Sequence, residues 1–189
     1  NQENSLFIDN CMEEVLVYNC TFIKNQKTSL LIENFEKEFS IDKTTFSNNS
    51  ECSLLVLNSN SNFSINNCTF ESNLEKSLQV ADCNSTFSVH NCSFNNNQAY
   101  TFQIINCETN VIVSECSFSN NNEYSLYVYS SVGSILISKN YFANNQGYTL
   151  YVTDAEDSVT IDECTFIDYQ KNSICINDTQ NDILISNCT

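Results

Sequence analysis

The chain has 189 residues, with seven lysines, no arginine and twenty-three acidic residues, and carries a formal charge of −16 at pH 7. That charge repels phosphate backbones and anionic lipid, and without guanidinium forks the usual means of reading base edges is missing, so nucleic acid is excluded as a partner class. No run of about eighteen apolar residues offers a membrane span, and no signal peptide stands at Asn1, so the sequence reads as a mature or excised segment.

A frame of twenty-four residues divides the chain into eight ungapped rows beginning at Asn1, Asn25, Asn49, Asn73, Asn97, Asn121, Asn145 and Tyr169. Self-similarity at a fixed period of this length marks a solenoid, in which each unit buries its apolar face against its neighbours. The expected organisation is one continuous repeat domain over residues 1–189.

Each row predicts three elements in the same order. The sixth and eighth positions hold apolar pairs such as Leu30/Ile32, Leu54/Val56 and Leu126/Val128. Alternation of period two predicts a strand there. A second strand follows at pairs such as Phe39/Ile41, Phe63/Ile65 and Ile135/Ile137, and a third, shorter one joins the twentieth position to the twenty-second. Between them stand Asn, Asp, Ser and Glu, residues suited to side-chain-bonded or left-handed turns. Helical spacing is nowhere sustained, which excludes leucine-rich and ankyrin units. A parallel β-helix satisfies all three strands at once, each row forming one coil; eight coils stacked about 4.8 Å apart make a rod about 38 Å long.

The columns follow from the stacking. Phe22, Phe46, Phe70, Phe94, Phe118, Phe142 and Phe166 share one position and are expected as an interior ring file. Three residues on, the Asn column from Asn1 to Asn145 is expected as a corner ladder of amides. The Ser/Thr file at Ser5, Ser29, Ser53, Ser77, Thr101, Ser125, Thr149 and Ser173 is expected to alternate outward.

The run Phe-x-x-Asn, as in Phe46-Ser-Asn-Asn49, Phe70-Glu-Ser-Asn73, Phe94-Asn-Asn-Asn97 and Phe118-Ser-Asn-Asn121, resembles half of the repeat of chlamydial polymorphic outer membrane proteins and related β-helices of the pectin-lyase-like superfamily. The last row carries Tyr169 in place of Asn, and Ser53-Leu54-Leu55-Val56 stands where that family has Gly-Gly-Ala-Ile. The resemblance implies a right-handed parallel β-helix, and it implies an extracellular adhesive role.

Eleven cysteines fall mostly in two columns expected to face inward: Cys20, Cys68, Cys92, Cys116, Cys164 and Cys188 in one, and Cys11, Cys83 and Cys107 in the other. Neighbouring coils bring Cα atoms within disulfide range, yet parallel side chains fit a file of buried thiols equally well. Asn-x-Ser/Thr sequons occur at Asn19, Asn48, Asn62, Asn67, Asn84, Asn91, Asn177 and Asn187, candidates for N-glycosylation in an extracellular or cell-surface setting. A Tyr cluster at Tyr100, Tyr124, Tyr127, Tyr129, Tyr148 and Tyr151 is the candidate interaction surface, for another copy of the chain, another surface protein or a glycan. Catalysis is not expected, because the chain offers no arginine, a lone His90, and uniform rows without a long loop to wall a cleft. Asp154, Glu156, Asp157, Asp178 and Asp182 are the candidate oxygen ligands for calcium and the candidate carboxylates of a rival polysaccharide-degrading reading. The leading expectation is a non-enzymatic structural or adhesive rod that associates laterally or end to end.

Overall fold

The computed structural model describes residues 3–168 and 170–189. All its regular structure is strand, and the strands pair parallel into three sheets of eight, eight and seven members. Successive members of a sheet are one row apart: Leu30 pairs with Leu54, Phe63 with Phe87, and Phe94 with Phe118. The 24-residue period is therefore the register itself, and the chain forms about eight coils of a parallel β-solenoid.

Most first strands have four residues, such as Leu54–Leu57, but those of coils five to seven lengthen to Tyr100–Ile105, Tyr124–Ser131 and Tyr148–Ala155. Gly147 stands directly before the last of these. A Cβ at that position would lie 1.8 Å from the Glu123 carbonyl oxygen, so only glycine lets coils six and seven close at this corner.

The turns share one device. Positions ten, nineteen and twenty-four of the rows carry twenty-three non-glycine residues with φ between 48° and 56°. This left-handed conformation costs an ordinary L-residue about 1 kcal/mol or more, and Asn and Asp tolerate it best because their short side chains bond locally. Sixteen of the twenty-three are Asn or Asp, which explains how three sharp corners per coil form with almost no glycine.

Inside, the expected phenylalanine file is present. From Phe22 to Phe166 successive ring centroids lie 4.7–5.1 Å apart with interplanar angles of 2–12°. Phe39, Phe63 and Phe87 form a second file at 4.6 and 4.9 Å. The paired apolar positions of the first two sheets complete the core, with Leu30, Ile41, Leu54, Val80, Val113 and Leu126 fully buried.

The outward expectation for the Ser/Thr file is corrected by the structure. Ser29, Ser53, Ser77, Thr101, Ser125 and Thr149 are buried. The corner turns this position toward the Asn column, as shown by Asn25 Nδ2 and Asn49 Nδ2, which donate to Ser29 Oγ and Ser53 Oγ at 3.1 and 3.3 Å. Ser29, Ser53 and Ser77 precede their strands, whereas Thr101, Ser125 and Thr149 are the second residues of the lengthened ones, and in both settings the position next to the corner departs from period-two alternation.

Candidate functional site

Two buried ladders frame the surfaces on which a partner can act. At the corner between the third and first sheets, the backbone N–H groups of Asn25, Asn49, Asn73, Asn97 and Asn121 each donate to the amide oxygen of the asparagine one coil on, at 2.9–3.0 Å. The amide nitrogens of Asn49 to Asn145 donate to phenylalanine carbonyls at 3.0–3.2 Å. These amides are committed to the fold and unavailable to ligands. Asn1 and Tyr169 of this column lie outside the described residues.

The cysteine column at the next corner repeats that geometry with sulfur. Cys68 and Cys92 N–H donate to the thiols of Cys92 and Cys116 at 3.4 and 3.5 Å. The thiols of Cys68, Cys92, Cys116, Cys164 and Cys188 lie 3.5–3.8 Å from the carbonyls of Ile41, Ile65, Val89, Ile137 and Ile161. Asn140 occupies the same column and makes both contacts at 2.8 Å. All eleven cysteines are free thiols in the structure, Cys83 and Cys107 fully buried among them. Burial pushes the Cys52 thiol up to about 12 and the Cys164 thiol up to about 11. Hydrogen bonds with Cys116 and Cys68, together with burial, hold Cys92 well above its ordinary value.

The tyrosine cluster lies on the outer face of the first sheet. Tyr100, Tyr124 and Tyr148 stack with centroids 5.0 and 5.3 Å apart and interplanar angles of 3° and 15°. Tyr127 and Tyr151 make a second file at 5.6 Å, and Tyr127 meets Tyr124 edge-on at 5.2 Å. Lys171 Nζ covers the end of the first file, 5.3 Å from the Tyr148 centroid. The ring faces are thus largely occupied by one another, and the cluster presents edges and hydroxyls. Tyr129, 40% exposed, is the outermost ring. Desolvation, followed by the neighbouring phenols, raises the pKa of Tyr124 and Tyr127 and keeps both neutral.

Alternation overstates how open this face is. Ala81, Gln103 and Thr153 point outward yet are buried, and Gln103 Oε1 has no hydrogen-bond partner.

All eight sequon asparagines are exposed. Asn19, Asn67, Asn91 and Asn187 share one left-handed corner, where Asn67 Nδ2 donates to Asp42 and Asn91 Nδ2 to Asn67, both at 2.7 Å. Asn62 lines a shallow concavity of about 520 Å³ with Glu14, Leu16, Glu38 and Ser40. A second concavity, of about 320 Å³, is walled by amides and carboxylates including Asn34, Asn58, Asn60 and Asp82.

The acidic corner is not a gathered site. Asp154 accepts from Thr153 Oγ1 and Asp157 from Ser158 N–H. Among the described residues no three His, Cys, Asp or Glu side chains are placed to hold a metal, so Asp154, Glu156, Asp157, Asp178 and Asp182 are not gathered as the candidate calcium ligands. His90 sits on the surface, with Nδ1 3.1 Å from Ser114 Oγ and Nε2 3.8 Å from Glu115. Among the described residues no helix is long and apolar enough to cross a membrane.

The family described as right-handed β-helix region matches the sequence over residues 1–136 and 56–189, which together span it. The chain belongs to the right-handed β-helix family. The pectin-lyase-like superfamily fits this β-helix, and the coil-by-coil register is what membership requires. No curated protein matches its sequence. Among solved structures, a trypsin-treated point variant of QnrB1, a plasmid-mediated fluoroquinolone resistance protein, is similar at 12% identity and TM-score 0.31, covering 95% of this chain and 92% of that one. Full-length QnrB1 gives 11% identity and TM-score 0.31, covering 90% and 92%. A glycoside hydrolase gives 9% identity and TM-score 0.25, covering 85% of this β-helix and 38% of that chain.

Proposed function

We propose that this β-helix is a non-enzymatic extracellular module, a rigid rod that carries N-linked glycans and uses its tyrosine face for adhesion or assembly. One coincidence supports the reading. The tyrosine cluster lies wholly within residues 92–176, the long interval between Asn91 and Asn177 that holds no sequon. Glycans on the sequons before and after it would leave that face bare. The ladders and ring files make the surface stiff, so a partner meets side chains already held in place, which lowers the ordering cost of binding.

The charge of −16 favours protein or glycan partners over nucleic acid. Turnover needs positioned acid and base groups, and the acidic corner residues of coils seven and eight point to no such pair, so the rod is read as non-catalytic.

The test is secretion of the chain from a eukaryotic host followed by glycopeptide mapping and bead adhesion. Occupied sequons, with adhesion lost in a Tyr127→Ser/Tyr151→Ser double variant, are the expected result. Unmodified asparagines, or adhesion indifferent to the double variant, overturn it.

A carbohydrate-binding reading is the second one, favoured by the amide-walled concavity around Asn58 and Asn60. Glycan-array binding abolished by Asn58→Ala/Asn60→Ala, and unchanged by the tyrosine variant, would select it.

A further inference from the structure

We infer that the tyrosine face pairs laterally with the same face of a second copy of this chain. The inference rests on the reading of that face as an interaction surface and names its partner.

Charge makes the first argument. Across five coils, from Leu55 to Thr153, the outward positions seven and nine carry no charged residue, in a chain with a net charge of −16. A surface selected to dock a basic partner would place acids among these positions. A neutral one is complementary to itself, and a two-fold interface requires self-complementarity because each patch meets its own copy. The lysines beside it are engaged, with Lys76 Nζ donating to Gln79 at 2.9 Å and Lys171 lying over Tyr148, while Glu123 flanks Tyr124 at the rim.

Ring geometry makes the second. A sugar stacks on an open aromatic face, but these faces are taken up in files spaced 5.0–5.6 Å. What remains is a comb of ring edges and hydroxyls, which can interdigitate edge-to-face with an identical comb. Gln103, beside Tyr127 on this face, is buried under its neighbours and its Oε1 has no partner, so the face is packed to its edges by its own side chains.

Area sets the strength. Five coils about 4.8 Å apart, with strands rising about 3.3 Å per residue, give a face of roughly 500 Å². Stable complexes bury about 800 Å² per partner, so a single pair is weak and persists where copies are concentrated or tethered.

Salt distinguishes this pairing from docking of a basic partner. Two copies repel through their net charge while touching through neutral surfaces, so screening strengthens the contact. Sedimentation equilibrium of the full chain, from about 10 µM to about 1 mM, is to be compared at salt concentrations where the screening length falls from above ~10 Å to below ~5 Å. A concentration-dependent dimer tightened about fivefold or more by salt is expected. It should be lost in Tyr127→Ser/Tyr151→Ser and retained in Leu136→Ser, a control on the second sheet, with circular dichroism confirming that all variants fold. A monomer throughout, association weakened by salt, or a dimer surviving the double variant overturns the inference. A monomer that still adheres to beads through Tyr127 and Tyr151 would overturn self-pairing alone and leave the adhesive reading standing.

Discussion

The asparagine corner and the cysteine corner solve one problem with different chemistry. Each must satisfy a backbone N–H one coil before and a carbonyl beyond it, in a dry interior. Asn97 does so with an amide at 3.0–3.2 Å, accepting from Asn73 and donating to Phe70 and Asn121, whereas Cys92 offers a thiol at 3.4–3.5 Å to Cys68 and Ile65. An amide is a full donor and acceptor; a thiol is weak in both roles but behaves as a small hydrophobe. The asparagine corner therefore depends on hydrogen bonding, and the cysteine corner on burial, with the hydrogen bonds secondary.

Truncation should separate them most clearly. Asn97→Ala leaves the Asn73 N–H and the Phe70 carbonyl without their amide partner and is expected to cost about 3–5 kcal/mol, measured by urea unfolding. Cys92→Ala removes weaker bonds and a smaller volume, and about 1–2 kcal/mol is expected. Equal losses at the two sites would erase the distinction.

Alkali probes burial of a thiol outside that corner, Cys52. The unfolded state releases the Cys52 proton near its ordinary value of 9.0, while the folded state holds it to about 12. Above pH 9 the unfolded chain binds fewer protons than the folded one, so stability falls as pH rises toward 12. Unfolding midpoints that stay flat over this range would contradict burial of the protonated thiol. Disulfide reagents at neutral pH should modify the half-buried Cys11, Cys20, Cys175 and Cys188 rapidly and the seven buried thiols only on unfolding.

Exchange should sharpen the comparison with a smaller effect. Asn140 shows that the thiol column accepts an amide, so Cys116→Asn is expected to stay within about 1 kcal/mol of the parent. The smallest effect belongs to the hydroxyl file. Thr101 Oγ1 is buried without a partner, so Thr101→Val should be neutral or stabilising by about 0.5 kcal/mol in thermal unfolding.

The sequence made the solenoid legible because its period equals its register; one apolar pair repeated without insertion determines sheet, neighbour and face together. Phe22 to Phe166 and the asparagine ladder could be read for that reason. The bends could not be read so directly. Ser77, just before its strand, and Thr149, second in its lengthened strand, follow the strand parity on paper but are turned inward next to the corner. The hydrogen-bonding role of the cysteines has a signal in the sequence: Thr44 and Asn140 replace cysteine in the same column, and both are polar residues of similar size. Likewise the recurring Asn and Asp at position ten pointed to left-handed turns. The candidate interaction surface was identified by residue type, but the mutual occupation of its ring faces is a matter of side-chain geometry that no one-dimensional pattern contains.

Uniform coils have a genetic consequence. Removing residues 73–96, or duplicating them, joins equivalent positions of neighbouring rows and keeps every file continuous, so rod length can change in steps of about 4.8 Å without a new fold. A deletion of one residue fewer would leave the coil at the junction out of register with its neighbour. In such a molecule rod length is set by copy number, and gain or loss of whole rows is the means of adjusting it.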